Sequence, residues 1–277
     1  MTTKLMLDSG AYSAYTQKTK IDLGEYIDYI HRNEDVYELY FNLDVLSDGG
    51  KSYMNWIHMR ANGLDPVPVF HIGTDERYLK KYLSLTDYVA IGAIANLSTS
   101  ERLKSLDNIW KDYLTDKAGM PTVKVHGFGL TSLRVIKGYP WYSLDSTSWV
   151  MFGRYGAILV PKSKNNGNGY NYDENPFIVT VSSKSPKQSV ADAHFNTLNK
   201  NVQDVILKYI EDMGFEMGLE QEEEDGAIIA TSIVRTGLSN THYLRDQINM
   251  LYYIGVQNSM PEWPWAWVPR RPRRVIL

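Results

Sequence analysis

The sequence predicts an α/β protein, a compact TIM-type (β/α)8 barrel followed by a helical appendage. Three observations carry that expectation. Over the first 160 residues, short apolar runs alternate with amphipathic segments of helical spacing. The runs are near-continuous rather than alternating in polarity, as parallel strands covered on both faces require. Several of them stop at an acid: Asp8, Asp44 and Asp145 each follow an apolar run and precede small or polar residues. A barrel gathers its strand ends around one pocket, so acids at strand ends point to a barrel rather than an open sheet.

The strand candidates are residues 4–8, 38–44, 67–72, 88–94, 122–127, 141–145 and 157–160, with 177–181 as an eighth. Between them, 21–33 places Leu23, Tyr26, Ile27 and Ile30 at helical spacing. Segments 52–61 and 76–83 are shorter helices. Segment 100–114 carries Leu103, Leu106, Ile109, Trp110 and Tyr113 on one face, with Thr99 or Ser100 as its cap. The run 161–169 reads as a loop. A long helix is expected over 191–213, with Phe195, Leu198, Val202, Val205, Ile206 and Ile210 apolar, and another over 241–254, capped by Ser239 or Asn240. These place a catalytic barrel in 1–182, open to completion by later segments, and a helical appendage with an aromatic and basic tail in 183–277. The acidic run 220–225 reads as a solvated loop.

Composition narrows the chemistry. The chain has 277 residues, 43% of them hydrophobic and 22% charged, and no cysteine. Disulfides, thiolate nucleophiles and cysteine-ligated zinc are therefore excluded. The expectation is a cytoplasmic protein, since no signal-peptide core or membrane-length apolar run is present. A net charge of −3 gives no global attraction to nucleic acid. The tail is the exception: Arg270, Arg271, Arg273 and Arg274 follow Trp263, Trp265 and Trp267. Such a tail suits phosphate binding and base stacking, or docking by its tryptophans with the charges in solvent.

No phosphate-binding glycine loop, zinc-protease helix or serine-hydrolase elbow occurs. His71 and His126 end strands without metal-ligand spacing around them, which reads as pocket wall. The acids are then the reactive groups. Two carboxylates facing one sugar carbon suit glycosyl transfer, one attacking the anomeric carbon and the other handling the leaving group's proton. The alternative is that Asp8 and Asp145 only cap their own turns through Asx hydrogen bonds.

The motifs resemble those of the tRNA-guanine transglycosylases. Asp8-Ser9-Gly10-Ala11-Tyr12 resembles that family's Asp-Ser-Gly-Gly-Phe/Tyr. Asn42-Leu43-Asp44 lies where the family has its base-reading acid, and the strand end at His71 resembles Val-Gln-Gly-Gly. Ala90-Ile91-Gly92-Ala93-Ile94 resembles Ala-Ile-Gly-Gly-Leu, and Val125-His126-Gly127-Phe128-Gly129 resembles Leu-Met-Gly-Val-Gly. Leu144-Asp145-Ser146 sits where Phe-Asp-Cys carries the nucleophile, and Arg154-Tyr155-Gly156 resembles the Arg-Asn-Gly that follows. The order matches across about 150 residues.

The resemblance implies a barrel that exchanges guanine for a 7-deazaguanine, without a cofactor. Asp145 is then the nucleophile on C1′ and Asp8 the general acid and base. Asp44 accepts hydrogen bonds from the base, Tyr12 stacks on one face and His126 covers the other. Ser9, Gly10, His71, Gly92, Ala93 and Gly127 complete the base site. The family's tRNA enzymes carry a cysteine and histidine zinc subdomain that this chain cannot build, and His71 replaces a base-reading glutamine. Those departures resemble the DNA-directed branch, which inserts a base such as preQ0 into DNA and has to flip the target guanosine out. The implied partners are DNA and a free 7-deazaguanine; the alternatives are a compact zinc-free tRNA-guanine transglycosylase and a catalytically silent nucleic-acid-binding subunit with the same barrel. Arg154, Lys162, Lys164 and the tail arginines Arg270, Arg271, Arg273 and Arg274 are the candidate phosphate contacts, although loop lysines are also commonly just solvated.

Overall fold

The computed structural model describes residues 5–92, 97–164, 169–185, 194–225 and 228–269. In chain order its elements begin with β1 (Met6–Leu7), α1 (Ala11–Thr16), α2 (Leu23–Arg32), β2 (Leu39–Tyr40), α3 (Gly49–Ala61), β3 (Val69–His71), α4 (Arg77–Leu83) and β4 (Tyr88–Gly92). α5 (Thr99–Ile109) runs into a π-helical turn (Trp110–Leu114), followed by β5 (Lys124–Gly127), α6 (Leu133–Ile136) and β6 (Ser143–Leu144). Then come α7 (Ser148–Arg154), β7 (Ala157–Val160), β8 (Lys162–Ser163), β9 (Tyr170–Asn171) and β10 (Phe177–Thr180). A 3-10 turn (Phe195–Thr197), α8 (Lys200–Asp212), β11 (Leu219–Asp225), β12 (Ile228–Arg235) and α9 (His242–Asn258) complete the chain. It divides into two compact units, Met1–Ser146 with Pro261–Leu277, and Thr147–Met260.

The first unit is mixed α/β with parallel strands. β1 pairs with β2, a parallel bridge joins Phe41 to Val67, and β3, β4, β5 and β6 follow side by side, all parallel. Each strand is therefore neighbour to the one before it in sequence, with a helix in each of the crossovers. Among the described residues the strands do not close into a ring. The winding follows from the sequence: α2 buries Tyr26, Ile27 and Ile30 with Leu43, Met59 and Leu64, each burial contributing about 1.5–3 kcal/mol. Phe41, Val67, Val69 and Ala90 form the adjoining cluster, with Phe128 against it.

Local signals set the helix starts. Asp22 caps α2 by accepting from Glu25 N, and Asp48 caps α3 by accepting from Lys51 N. Ser98, rather than Thr99 or Ser100, caps α5: it accepts from Glu101 N while the Glu101 carboxylate takes Ser98 N. The reciprocal pair needs an acid three residues on, and Glu101 stands at that spacing only from Ser98.

The second unit holds β7 and β10, which pair antiparallel; neighbouring strands of a (β/α)8 barrel run parallel. Their core joins Ile158, Val160, Val179 and Val181 to Ile206, Tyr209, Ile210 and Ile248. Three expectations change in this unit. The helix expected over 191–213 begins at Lys200, because Asn199 caps it by accepting from Val202 N, and Phe195 sits in the separate 3-10 turn. The acidic run is not a loop but strand β11, paired along its length with the β-branched run of β12. The 161–169 region contributes β8, paired with β9, rather than loop alone. No helix among the described residues is long and apolar enough to cross a membrane.

In the first unit the tail is docked by tryptophans. Trp263 Nε1 donates to Pro140 O at 3.0 Å. Trp267 is buried against Tyr139, and its N donates to Gly119 O at 2.8 Å. Gly119 has φ +82°, and a Cβ there would lie 2.4 Å from Trp267 O, so only glycine admits the tail at this approach. The arginines 270, 271, 273 and 274 lie outside the described residues.

Candidate active site

The site lies in the first unit, at the carboxyl ends of its parallel strands. β1 ends at Leu7, so Asp8 opens the loop beyond it; Asp145 follows β6 in the same way, and Asp44 lies four residues past the end of β2. Parallel pairing alone therefore puts the three acids on one edge.

Asp44 is the most firmly held of the three. Its side chain is 11% exposed. Ser9 Oγ donates to Oδ1 at 2.8 Å, and His71 Nε2 stands 2.8 Å from Oδ2. A carboxylate only accepts, so the His71 proton sits on Nε2. The loop bearing Asp44 is pinned around it: Asn42 Oδ1 accepts from Val69 N at 2.7 Å, Tyr26 donates to Phe41 O, and Val45 N donates to Ser52 Oγ. Each Asp44 oxygen keeps a second lone-pair direction for a ligand donor. Ser9 and His71, expected at the base, both touch Asp44 and orient it. Gly92 explains why His71 fits: the two are paired in register, and a Cβ on Gly92 would lie 2.7 Å from His71 Cδ2. Gly10 takes φ +74° just before α1, which lets the chain turn from Ser9 into that helix.

Asp145 is anchored across the strand ends. Gly129 N donates to its Oδ1 at 2.6 Å, its own N donates to Gly127 O, and Leu130 N donates to its backbone O. The side-chain bond reaches back to the loop after β5 rather than capping its own turn. His126 Nε2 lies 3.8 Å from the same Oδ1, too far for a hydrogen bond. It is a buried ring nitrogen without a hydrogen-bond partner among the described residues.

The other side of His126 is fully engaged. Nδ1 lies 2.7 Å from Ser143 Oγ, and Ser143 Oγ lies 2.6 Å from Tyr88 OH. The protons fit one direction best. Tyr88 donates to Ser143, Ser143 donates to Nδ1, and Nε2–H then faces the Asp145 carboxylate. The reverse order would aim a ring lone pair at a carboxylate oxygen. Phe41 and Phe128 wall the ring, with centroids 4.8 and 4.6 Å away. At 1% side-chain exposure, burial pushes the His126 pKa down to about 4, so the ring is neutral near pH 7. Burial likewise raises Tyr88, which keeps its proton for Ser143.

Asp8 is exposed to solvent, yet its carboxyl is raised above the ordinary 3.8. Partial desolvation by the atoms around it is the largest cause, followed by the charges of Asp44 and then Asp145. The N–H groups of Ser9 and Gly10 pull the other way, so Asp8 also serves its own turn. Asp145 is raised by burial and lowered by Gly129 N–H. Neighbouring carboxylates therefore press on Asp8 and favour its protonated form, a division of labour suited to an acid and a nucleophile.

The other expected residues fall as follows. Tyr12 stands on α1, 57% exposed, without a ring partner among the described residues. Gly127 faces Leu130, Leu144 and Trp141, and its lack of a Cβ serves packing. Ala93 lies outside the described residues. In the second unit, Lys162 pairs with Glu174 at 2.5 Å, Lys164 follows β8 exposed, and Arg154 ends α7 exposed. Ser143, Tyr88 and the Gly129 amide were not expected. Ser143 had a signal: it lies two residues before Asp145 in a strand, hence on the same face. Among the described residues no group of three or more His, Asp or Glu is placed to hold a metal ion.

Comparison with protein-family models, with curated protein sequences and with solved structures finds no match to the chain.

Proposed function

We propose that this protein is a DNA-guanine transglycosylase that exchanges guanine for a 7-deazaguanine such as preQ0. The observation that carries the reading is the gathering of three acids beyond the ends of parallel strands, close enough that the charges of Asp44 and Asp145 both act on Asp8. In the proposed reaction, Asp145 attacks C1′ of a flipped guanosine. The C1′–N9 bond breaks, and Asp8 gives its proton to the departing guanine. The incoming base loses its N9 proton to Asp8, attacks C1′, and releases Asp145. Two displacements return the original anomeric configuration. Asp44, held by Ser9 and His71, accepts from the base's N–H groups, and Tyr12 supplies an exposed ring for stacking. Gly129 N–H holds the Asp145 carboxylate in place, and His126 Nε2–H faces it from 3.8 Å as a neutral dipole.

The finer fold belongs to the same proposal. A strand order that follows the sequence from β1 to β6 is the winding of a (β/α)8 barrel, and we take the first unit as its main part. A cytoplasmic setting goes with the reaction proposed.

The test is base exchange: guanine-containing DNA, and tRNA in a parallel arm, incubated with labelled preQ0 or guanine. Label enters DNA with the wild type and fails to enter with Asp145→Ala. Label entering tRNA alone moves the reading to a compact tRNA enzyme. No label in either polymer overturns it, and exchange by Asp145→Ala removes Asp145 as nucleophile.

A further inference from the structure

The second unit contains a cavity of about 710 Å³ lined by Arg154, Lys184, His242, Arg245, Ser182 and Asn240 among others. We propose that this cavity binds a phosphate group, and that its occupant is a backbone phosphodiester of the polynucleotide substrate. The second half of that statement rests on the function proposed above; the phosphate site itself does not.

The chemistry of the lining is one-sided. Three permanent cations and a histidine face the cavity with hydroxyl and amide donors, and among the described residues no carboxylate lines it. Arg154, Lys184 and Arg245 have no ion pair among the described residues. Arg245 is the decisive member. It is 5% exposed, and its Nε donates to Gly153 O at 2.7 Å while Nη1 donates to Leu238 O at 2.5 Å. Carbonyls fix the guanidinium but leave its charge without a paired anion; Asp246, next in the chain, offsets it only from a distance that forms no ion pair. A buried cation held in place at a cavity wall favours an anion arriving there. A fixed guanidinium fork flanked by exposed cations suits the several oxygens of a phosphate.

Two further features have the same sign. α9 begins at His242, and its N-cap Thr241 makes no side-chain cap bond, so the positive end of a 17-residue helix borders the cavity. The depression is open and leaves room beside a phosphate for attached sugar, as a backbone phosphodiester requires.

The experiment measures two probes, inorganic phosphate by calorimetry and a fluorescent single-stranded oligodeoxynucleotide by anisotropy over a salt series. The double variant Arg154→Gln/Lys184→Gln alters exposed side chains only. It is expected to weaken both probes at least tenfold and to flatten the oligonucleotide's salt slope by about one. Arg245→Lys, checked for folding by circular dichroism, gives a second reading with the charge kept and the fork removed. Unchanged affinity in the double variant, or no binding of either probe by the wild type at low salt, overturns the site. Weakened phosphate binding with an unchanged oligonucleotide overturns the backbone assignment and leaves free phosphate as the ligand. Base exchange is followed in parallel. Wild-type exchange with unaltered oligonucleotide binding by the double variant sinks this site and spares the reaction, and lost binding without wild-type exchange does the reverse.

Discussion

His71 Nε2 and Asp44 Oδ2 stand 2.8 Å apart, one from the end of β3 and the other from the loop after β2. The pair exists because Gly92, opposite His71 in register, has no side chain to occupy the ring's place. Three adjacent strand ends are thereby committed to the orientation of one carboxylate.

Gly92→Ala tests that dependence. The new Cβ would lie 2.7 Å from His71 Cδ2 and 3.1 Å from Nε2, so the ring has to leave Asp44. The expected cost is about 1–3 kcal/mol in urea unfolding, from the overpacked contact and the lost donor. If the pair is the reason, Gly92→Ala adds little in a His71→Ala background, because the residue it displaces is gone. Equal costs in both backgrounds would show that Gly92 serves something else. In the base-exchange assay, the single variant is expected to raise KM for the incoming base about tenfold.

Asp8→Asn should stabilise the protein while ending exchange. The folded-state pKa of Asp8 is raised, chiefly by burial and then by Asp44 and Asp145. The unfolded chain therefore releases this proton first, and stability falls as pH rises from the ordinary 3.8 through the raised value. Above it the penalty is complete, and asparagine escapes it while still accepting from Ser9 and Gly10 N–H. The expected gain near pH 7 is on the order of 0.5 kcal/mol, held small because Asp8 is exposed and its charge is screened by solvent. It disappears on acidification below about pH 4, where both states are protonated. A loss of stability at neutral pH would mean the carboxylate is held charged by favourable partners.

The sequence made the framework legible because apolar runs ending at Asp8, Asp44 and Asp145 are local signals of parallel strands. It made the acids legible as a group because parallel strands share one carboxyl edge. What it could not show was commitment. Ser9 and His71 read as ligands of a base, and only their distances to Asp44 reveal that they orient an acid. Gly127 read as part of the base site, yet its missing Cβ is used by Leu130, Leu144 and Trp141. The acidic run of β11 misled for a different reason. A strand is defined by its partner, here β12, and charge density carries no information about pairing.

His126 supplies the last prediction. It is a neutral ring whose pKa burial lowers from 6.5 to about 4. Between those values the unfolded chain binds the proton and the native state does not, so stability falls on acidification through that window and is flat above it. The contribution is on the order of 2 kcal/mol, and His126→Gln should remove that part of the slope in unfolding measured from pH 7 to pH 4.5. The same slope in the variant would assign the acid sensitivity to other groups. Ser143→Ala tests the orientation of the ring separately. It deletes the Nδ1 partner, leaves the fold's apolar packing in place, and frees the ring to take either tautomer. Because Nε2–H is argued to act on Asp145 and not on the bound base, kcat for exchange should fall about tenfold with KM nearly unchanged. A rise in KM alone would instead place His126 against the base.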